Sequence, residues 1–509
     1  MSAPAENSKH SARLPRLTRR WQYLAVVAAG GLFACGFAPV GLPLVSCLSL
    51  AVLYLFLRQA PVRQGILTAY LFGLGMLGAG VSWVQVSVHQ FGLPYYSFSV
   101  SVTALMIALL AVFTALVGWV MGRWAPASGP WRVVAFAAAW TLSEWVRGWA
   151  FSGFPWLYAG YAMIDTPLVG FAPVAGVLSM TFLCALVSAA FAEAIRAVSV
   201  LRAMVAAVVA TGLIQLAGFT LKHHSWTSPA GIERSATLVQ GNIEQARKWD
   251  PEQLGPTMDL YRTLTEPHLG DALVIWPETA IPALAHVLRD YLTAMDGLAR
   301  DRGTTLLLGI PIYSAEDGFR NSVIALGAAN GRYDKRHLVP FGEYMPFRDL
   351  LGPLLRALKI PMSDFRPGPS EQVAITANGF GIGVSICYED AFSREIRKSM
   401  PDAAVLVNVS NDAWFGDSLA PHQHLEIARM RAVEFQRYLL RATNTGISAI
   451  IAPDGTVTAT LPQFQAGAVS GRYMPMTGVT PFAKFGNLPL LAGLVLLVIG
   501  SGWYRHKTK

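Results

Sequence analysis

Charge is scarce in this sequence. Asp, Glu, Lys and Arg make up 14% of its 509 residues, against roughly 25% in an ordinary soluble domain. A chain so poor in charge, and 53% hydrophobic, is neither a disordered protein nor a fully water-soluble one. Cysteine is rare too, with four in all. Cys35, Cys47 and Cys184 lie in apolar runs and read as small buried residues. Cys387 is the only cysteine of the stretch 222–485, so no disulfide can form within that stretch. Metal-ligand spacing is missing, because His422 and His424 lack the further ligands of a tetrahedral site. Neither a metal nor a cofactor is expected. The internal repeats that mark many transporters are not found either.

Long hydrophobic runs are what the chain has instead. A spanning helix needs about 20 mostly apolar residues. Candidates are 21–39, 43–58, 65–88, 97–122, 131–148, 167–195 and 198–220, followed much later by 486–504. Basic residues fall in alternate connections: Arg13, Arg16, Arg19 and Arg20, then Arg58 and Arg63, Arg123 and Arg132, Arg196 and Arg202, and finally Arg505, Lys507 and Lys509. Connections 40–42 and 89–96 contain none. By the positive-inside rule both termini are cytoplasmic. The expected organisation is a tail at 1–20, a seven-span membrane domain at 21–221, an extracytoplasmic domain at 222–485, an eighth span at 486–504 and a tail at 505–509. The net charge of +9 reflects this bias and does not point to nucleic acid.

Between about residues 235 and 472 the texture changes to short aliphatic runs alternating with helical patterns. Strands are expected at 236–240, 272–276, 304–310, 322–327, 381–386, 403–409, 447–452 and 456–460, and helices at 251–265, 283–302 and 420–440. Continuous aliphatic runs indicate strands buried on both faces. Asn330-Gly331 and Asp454-Gly455 mark hairpins. The pattern implies a layered α/β domain built from two packed sheets with helices outside them.

Three reactive residues sit at the ends of such runs. Cys387 follows the run 381–386, where a sharp turn exposes sulfur and aims backbone N–H groups at a developing oxyanion. Glu278 follows Trp276-Pro277, whose proline stops the strand and fixes the carboxylate. Lys335 lies just beyond a hairpin strand. Each has an ordinary reading alone: a buried thiol, a solvated carboxylate, a solvated amine. Together they supply a nucleophile, a base and a cation for covalent acyl transfer, with Lys335 expected to stabilise the thiolate.

In this order, WPET at 276–279, DKRHLVPFGEY at 334–344 and SICYED at 385–390 resemble the nitrilase superfamily of carbon–nitrogen hydrolases. The resemblance covers roughly 235–472. It implies an αββα sandwich with Glu278 as general base, Lys335 as thiolate and oxyanion stabiliser, Cys387 as nucleophile and Glu343 as a supporting glutamate. The apolar runs, EWVRGWAFSGFPWLYAGY at 144–161 and VQGNIEQARKWD at 239–250 extend the likeness to nearly the whole chain. As a whole the chain is similar to the apolipoprotein N-acyltransferase family, whose members act at the bacterial inner membrane with a periplasmic catalytic domain.

That likeness implies a monomer that moves an acyl chain from a phospholipid to the cysteine. The acyl group then passes to the α-amine of a diacylglyceryl-cysteine on an apolipoprotein. A membrane-tethered amidase or nitrilase would use the same triad with water as acceptor, and a transporter or receptor would only bind ligand. Tyr388, Glu389, Trp249 and Trp414 are expected to shape the pocket or guide substrate. LLGPLLRALKIPM at 350–362, with Trp414-Phe415, is expected to form an apolar lid. Glu144 and Arg147, three residues apart in the fifth run, are placed to pair.

Overall fold

The computed structural model describes residues 19–58, 60–91, 95–346 and 364–508. The expected tail up to residue 18 and the apolar segment 350–362 lie outside these. The N-terminal region is helical: α1 (Arg19–Phe33), α2 (Pro43–Leu57), α3 (Val62–Gly80), α4 (Val84–Phe91), α5 (Tyr96–Arg123), α6 (Pro130–Arg147), α7 (Ala172–Ala175), α8 (Val177–Ala194) and α9 (Val200–Lys222). Two expected runs are interrupted. The run 65–88 breaks after Gly80, and α4 leaves α3 at 59°. The run 167–195 opens with a 3₁₀ turn, Pro167–Phe171, and the short α7 before α8 begins.

Among the described residues, α5, α8, α9 and the C-terminal helix Leu488–Lys507 are long and apolar enough to cross a membrane, and α3 with α4 makes a bent fifth. Helices α1 and α2 have 15 residues each, and α6 carries Arg132, Glu144 and Arg147. Backbones meet directly inside the bundle. A Cβ on Gly30 would lie 2.1 Å from the Phe72 carbonyl oxygen, and one on Gly118 would lie 2.1 Å from that of Gly65. Small residues at such crossings permit close packing where no hydrophobic effect drives association. Helix α9 instead turns Leu201, Val205, Val209, Leu213 and Leu216 outward, an apolar surface that fits a membrane-embedded protein.

The rest of the chain is a sandwich. One sheet has the order β13-β2-β3-β4-β5-β6 and the other β12-β11-β10-β9-β8-β7. The first contains β2 (Arg234–Gln240), β3 (Leu273–Ile275), β4 (Thr305–Ser314), β5 (Gly318–Gly327), β6 (Gly331–Asp334) and β13 (Gly467–Tyr473). The second contains β7 (Ile375–Ala377), β8 (Phe380–Ile386), β9 (Ala403–Ser410), β10 (Leu439–Thr443), β11 (Ser448–Ile451) and β12 (Val457–Leu461). Strands β2–β4 and β8–β10 run parallel within their sheets.

Successive residues of one strand serve different layers. Leu307 packs between the sheets with Val384 and Val407, while Leu306 and Leu308 pack under Met295 and Ala299 of α11 (Arg289–Asp301). This is why the strands read as unbroken aliphatic runs. Helix α10 (Pro251–Thr265) also covers the first sheet, through Tyr261, which packs on Val239 and Trp276. The second sheet is covered by α12 (Ser393–Arg397) and α13 (Ala420–Phe435). Helix α11 begins later than the expected 283. Helix α13 stops at Phe435 rather than 440, because Gln436 turns left-handed (φ 45°) and the chain re-enters the sheet as β10. A small ribbon of β1 (Thr227–Pro229) and β14 (Met476–Gly478) ties the sandwich's entry and exit together. From there α14 (Pro481–Phe485) leads into α15, the C-terminal helix.

The helical region grips the sandwich chiefly through α13. Gln423 accepts from the indoles of Trp83 (3.2 Å) and Trp156 (2.7 Å) and donates to the Gly80 carbonyl, at the break between α3 and α4. Further along, Glu426 accepts from the Ala38 amide, Arg429 binds Asp165 and Glu434 accepts from the Val177 amide.

Candidate active site

Five loops leaving strands β2, β3, β6, β8 and β9 converge at one end of the sandwich, the carboxyl side where open α/β sheets bind ligands. Glu278 leaves β3 after Trp276-Pro277 and is buried. Its Oε1 accepts from Asn321 Nδ2 (2.6 Å) and Lys335 Nζ (3.4 Å), and its Oε2 accepts from the Asn411 main-chain amide (3.1 Å). Lys335 follows β6 directly and is also buried; its Nζ is closer to Glu343 Oε1, at 2.8 Å. Glu343 is anchored by Asn321 Nδ2 (3.0 Å) and by the Val339 amide on Oε2 (2.9 Å). One asparagine and one ammonium thus hold both carboxylates.

Cys387 is the first residue of the 3₁₀ turn Cys387–Ala391 at the end of β8, and its φ is 52°. A non-glycine residue there stores about 1–3 kcal/mol, so the surroundings must enforce it. Glu389 does so. Its Oε2 accepts from the Ile386 amide (2.8 Å), closing the turn, and its Oε1 accepts from the amides of Arg336 (2.7 Å) and His337 (3.0 Å). One fully buried carboxylate therefore pins the Cys387 turn to the segment that carries Lys335. From the other side, Asn408 Nδ2 holds the Cys387 carbonyl at 3.3 Å.

Burial first, and then the Glu278 carboxylate, push the Cys387 thiol well above its ordinary value; Lys335 and a hydrogen bond from Ser410 only partly oppose them. The resting sulfur is a protonated thiol, and Lys335 acts in favour of its thiolate against that balance. Lys335 is already committed to two carboxylates. Burial acts against its ammonium, but Glu278 and Glu343 outweigh that and raise it above the ordinary lysine range.

The supporting residues fall in different places. Tyr388 donates to the Gly153 carbonyl (3.0 Å) and stacks on Trp156 (6.2 Å between centroids), which couples the Cys387 turn to the helical region. Trp249 is 55% exposed, and Trp414 is 39% exposed with its carbonyl accepting from Ser87 of α4 (2.6 Å). Phe415, expected in a lid, packs on Trp83 at 4.9 Å and so belongs to the contact with the helices. Glu144 and Arg147 do not form an ion pair. Glu144 accepts from Trp140, Thr181 and the Ala159 amide, while Arg147 donates to the carbonyls of Phe154 and Trp156.

Asn321, Asn411 and Lys248 were not foreseen. Asn411 follows β9 within a polar Ser-Asn-Asp triplet, the same strand-end signal that marked Cys387. Lys248 stands beside Trp249 in a segment already singled out. Asn321, inside β5, carries no such signal.

A second charged cluster lies behind the Cys387 turn. His424 of α13 places Nε2 2.8 Å from Asp390 and Nδ1 3.1 Å from Asp412. Arg441 of β10 binds the same two carboxylates at 3.1 and 2.8 Å, and all four side chains are buried. Against burial and Arg441, the two aspartates raise His424 to about 9, so it is an imidazolium at neutral pH.

Comparison with known proteins places both regions of the chain in known families. Residues 235–473 match the carbon-nitrogen hydrolase family model, and residues 29–190 match that of the apolipoprotein N-acyltransferase N-terminal domain. A protein of Methylococcus capsulatus named apolipoprotein N-acyltransferase is 43% identical over 490 residues, covering 95% of this chain and 96% of its own. Namesakes from Azotobacter vinelandii and Pseudomonas syringae pv. tomato are each 40% identical, covering 96% and 94% of this chain and 95% and 96% of their own. The chain belongs to the apolipoprotein N-acyltransferase family, and it is an acyltransferase with a carbon–nitrogen hydrolase domain.

Proposed function

We propose that this enzyme takes a fatty acyl chain from a membrane phospholipid onto Cys387 as a thioester and delivers it to the N-terminal α-amine of a diacylglyceryl-cysteine on an apolipoprotein. The observation that carries this reading is the convergence of Glu278, Lys335 and Glu343 on a strained, buried Cys387 turn. The same chain bears helices apolar enough to sit among lipids.

In the first half-reaction Glu278 accepts the Cys387 proton as sulfur attacks the ester carbonyl. The developing oxyanion is stabilised by the Lys335 ammonium. The C–O bond breaks, and the lysophospholipid oxygen leaves with the proton held by Glu278. In the second, the α-amine attacks the thioester, Glu278 takes its proton, and sulfur departs and recovers it. Splitting the transfer in this way replaces one difficult step with two easier ones.

The proposed topology has eight crossings, with both termini cytoplasmic and residues 222–485 on the periplasmic side of the inner membrane. Its support is the alternation of basic loops and the β1–β14 ribbon, which keeps the ends of α9 and α15 at one end of the sandwich.

Intact-mass measurement of the purified protein in phospholipid vesicles tests the chemistry. We expect one added acyl chain on wild type and none on Cys387→Ala. Hydroxylamine should remove it, as should a diacylglyceryl-cysteine peptide, which emerges N-acylated. Free fatty acid as the main product with that peptide present would overturn acyl transfer in favour of a hydrolytic amidase.

A further inference from the structure

The loop between β2 and α10 brings in a cation that the steps above do not use. Lys248 is buried. Its Nζ lies 3.4 Å from the Glu278 carbonyl oxygen and 3.3 Å from Asn411 Oδ1. Asn411 is in turn the residue whose amide holds the Glu278 carboxylate at 3.1 Å. Its side chain is fixed on its remaining sides by Gln245 (2.6 Å) and Asn444 (2.9 Å). The ammonium therefore stands behind the base, joined both to its main chain and to its hydrogen-bond donor.

A second cation answers a need that Lys335 alone does not meet. Glu278 must be ionised at rest if it is to take a proton from a thiol. It is faced by Lys335 and Asn321 at Oε1, by the Asn411 amide at Oε2, by Cys387 in front, and by the like charge of Glu343 across Lys335. Lys335 is nearer Glu343, at 2.8 Å against 3.4 Å. Glu278 therefore has only a share in the Lys335 ammonium and faces a like charge across it. Lys248 adds a second positive charge on the Glu278 side, and the two attract each other. Burial lowers the Lys248 ammonium to about 8 while Glu278 opposes that loss, so it is a cation at neutral pH.

We infer that Lys248 is a positioning residue for the general base, holding the Glu278 loop and Asn411 in place and keeping the Glu278 carboxylate ionised. The inference rests on the proposed Glu278–Cys387 acyl transfer and adds a residue to it. The test uses full-length protein in phospholipid vesicles, with the rate of Cys387 thioester formation followed against pH. Lys248→Gln removes the charge but keeps a donor, and Lys248→Arg keeps the charge.

The acid limb of the rate profile should move up by about one pH unit in Lys248→Gln and stay at its wild-type position in Lys248→Arg, even where the Arg variant is slower. A merely structural lysine would lower the rate without moving the limb. An unmoved limb in Lys248→Gln, or equal movement in both variants, overturns the inference. Lys248→Met reads the same limb if the Gln variant is not recovered folded. Absence of any thioester in wild type would instead sink the acyl-transfer reading itself.

Discussion

The two charged clusters on either side of the Cys387 turn are built from similar residues and behave in opposite ways. Behind the turn, Asp390 and Asp412 each contact both His424 and Arg441 at 2.8–3.1 Å, and the two carboxylates hold the two bases together even though Arg441 Nη2 lies 2.8 Å from His424 Nδ1. In front of it, Glu278 and Glu343 divide Lys335 unequally, Lys248 reaches only a carbonyl and an amide, and a protonated thiol completes the group. A closed quartet has no vacancy for a proton and resists change; its buried charges are costly to leave unpaired. The front cluster has slack, which a base that takes and returns protons requires.

Neutralising one charge on each side should separate these roles most sharply. Glu278→Gln removes the base and should slow thioester formation by about 10²–10⁴-fold. Its unfolding midpoint should fall less than that of Arg441→Met, because Lys335 keeps its closer carboxylate, Glu343 at 2.8 Å, and the glutamine retains an acceptor for Asn321. The thiolate absorbance of that variant should titrate at lower pH than in wild type, because the Glu278 charge that raises the Cys387 thiol is gone. Arg441→Met leaves two buried aspartates with one imidazolium and should cost about 3–5 kcal/mol, read as a lower midpoint of thermal unfolding in detergent. Equal stability losses in the two variants would erase the distinction.

The quartet also predicts a pH dependence. His424 is raised from 6.5 in the unfolded chain to about 9 in the fold. A base whose folded value is raised adds stability that is fully present below about pH 6.5 and is lost as pH climbs through about 9. The amount is about 3 kcal/mol, from the size of the shift. Lys248, lowered from 10.5 to about 8, acts with the opposite sign between those values, so wild type alone gives a mixed curve. The quantity to measure is the difference in unfolding midpoint between wild type and His424→Gln. It should be largest near pH 6 and shrink toward pH 10; a constant difference would mean that His424 is not charged in the fold.

What the sequence disclosed follows the same division. Glu278 and Cys387 stand out because each follows an aliphatic strand, and strand ends are where parallel α/β sheets place chemistry, whereas Lys335 follows the short, polar β6 and is picked out by the order of the three motifs. The quartet does not stand out. Arg441 sits in the middle of β10, Leu439–Thr443, whose first two residues fall in the expected helix 420–440 and whose central charge is no mark of a buried strand. Its partners are 17, 29 and 51 residues away, and no local pattern announces them. The break after Gly80 was hidden in the same way, since the side chain that occupies it, Gln423, is 343 residues downstream.

Gln423 provides the gentlest test of the comparison. It precedes His424 on α13, so one helix carries both the quartet's imidazolium and the amide that seats the helical region against the sandwich. Gln423→Met keeps the volume but strands the indoles of Trp83 and Trp156 and the Gly80 carbonyl. Unsatisfied buried neutral groups cost about 1–3 kcal/mol, less than an unpaired buried charge. Its unfolding midpoint should therefore fall, but by less than that of Arg441→Met. Trp156 also stacks on Tyr388, the residue after the nucleophile, so thioester formation should slow by less than about tenfold, the equivalent of 1.4 kcal/mol. A loss as large as that of Glu278→Gln would mean that the helices, rather than the quartet, hold the Cys387 turn in its reactive shape.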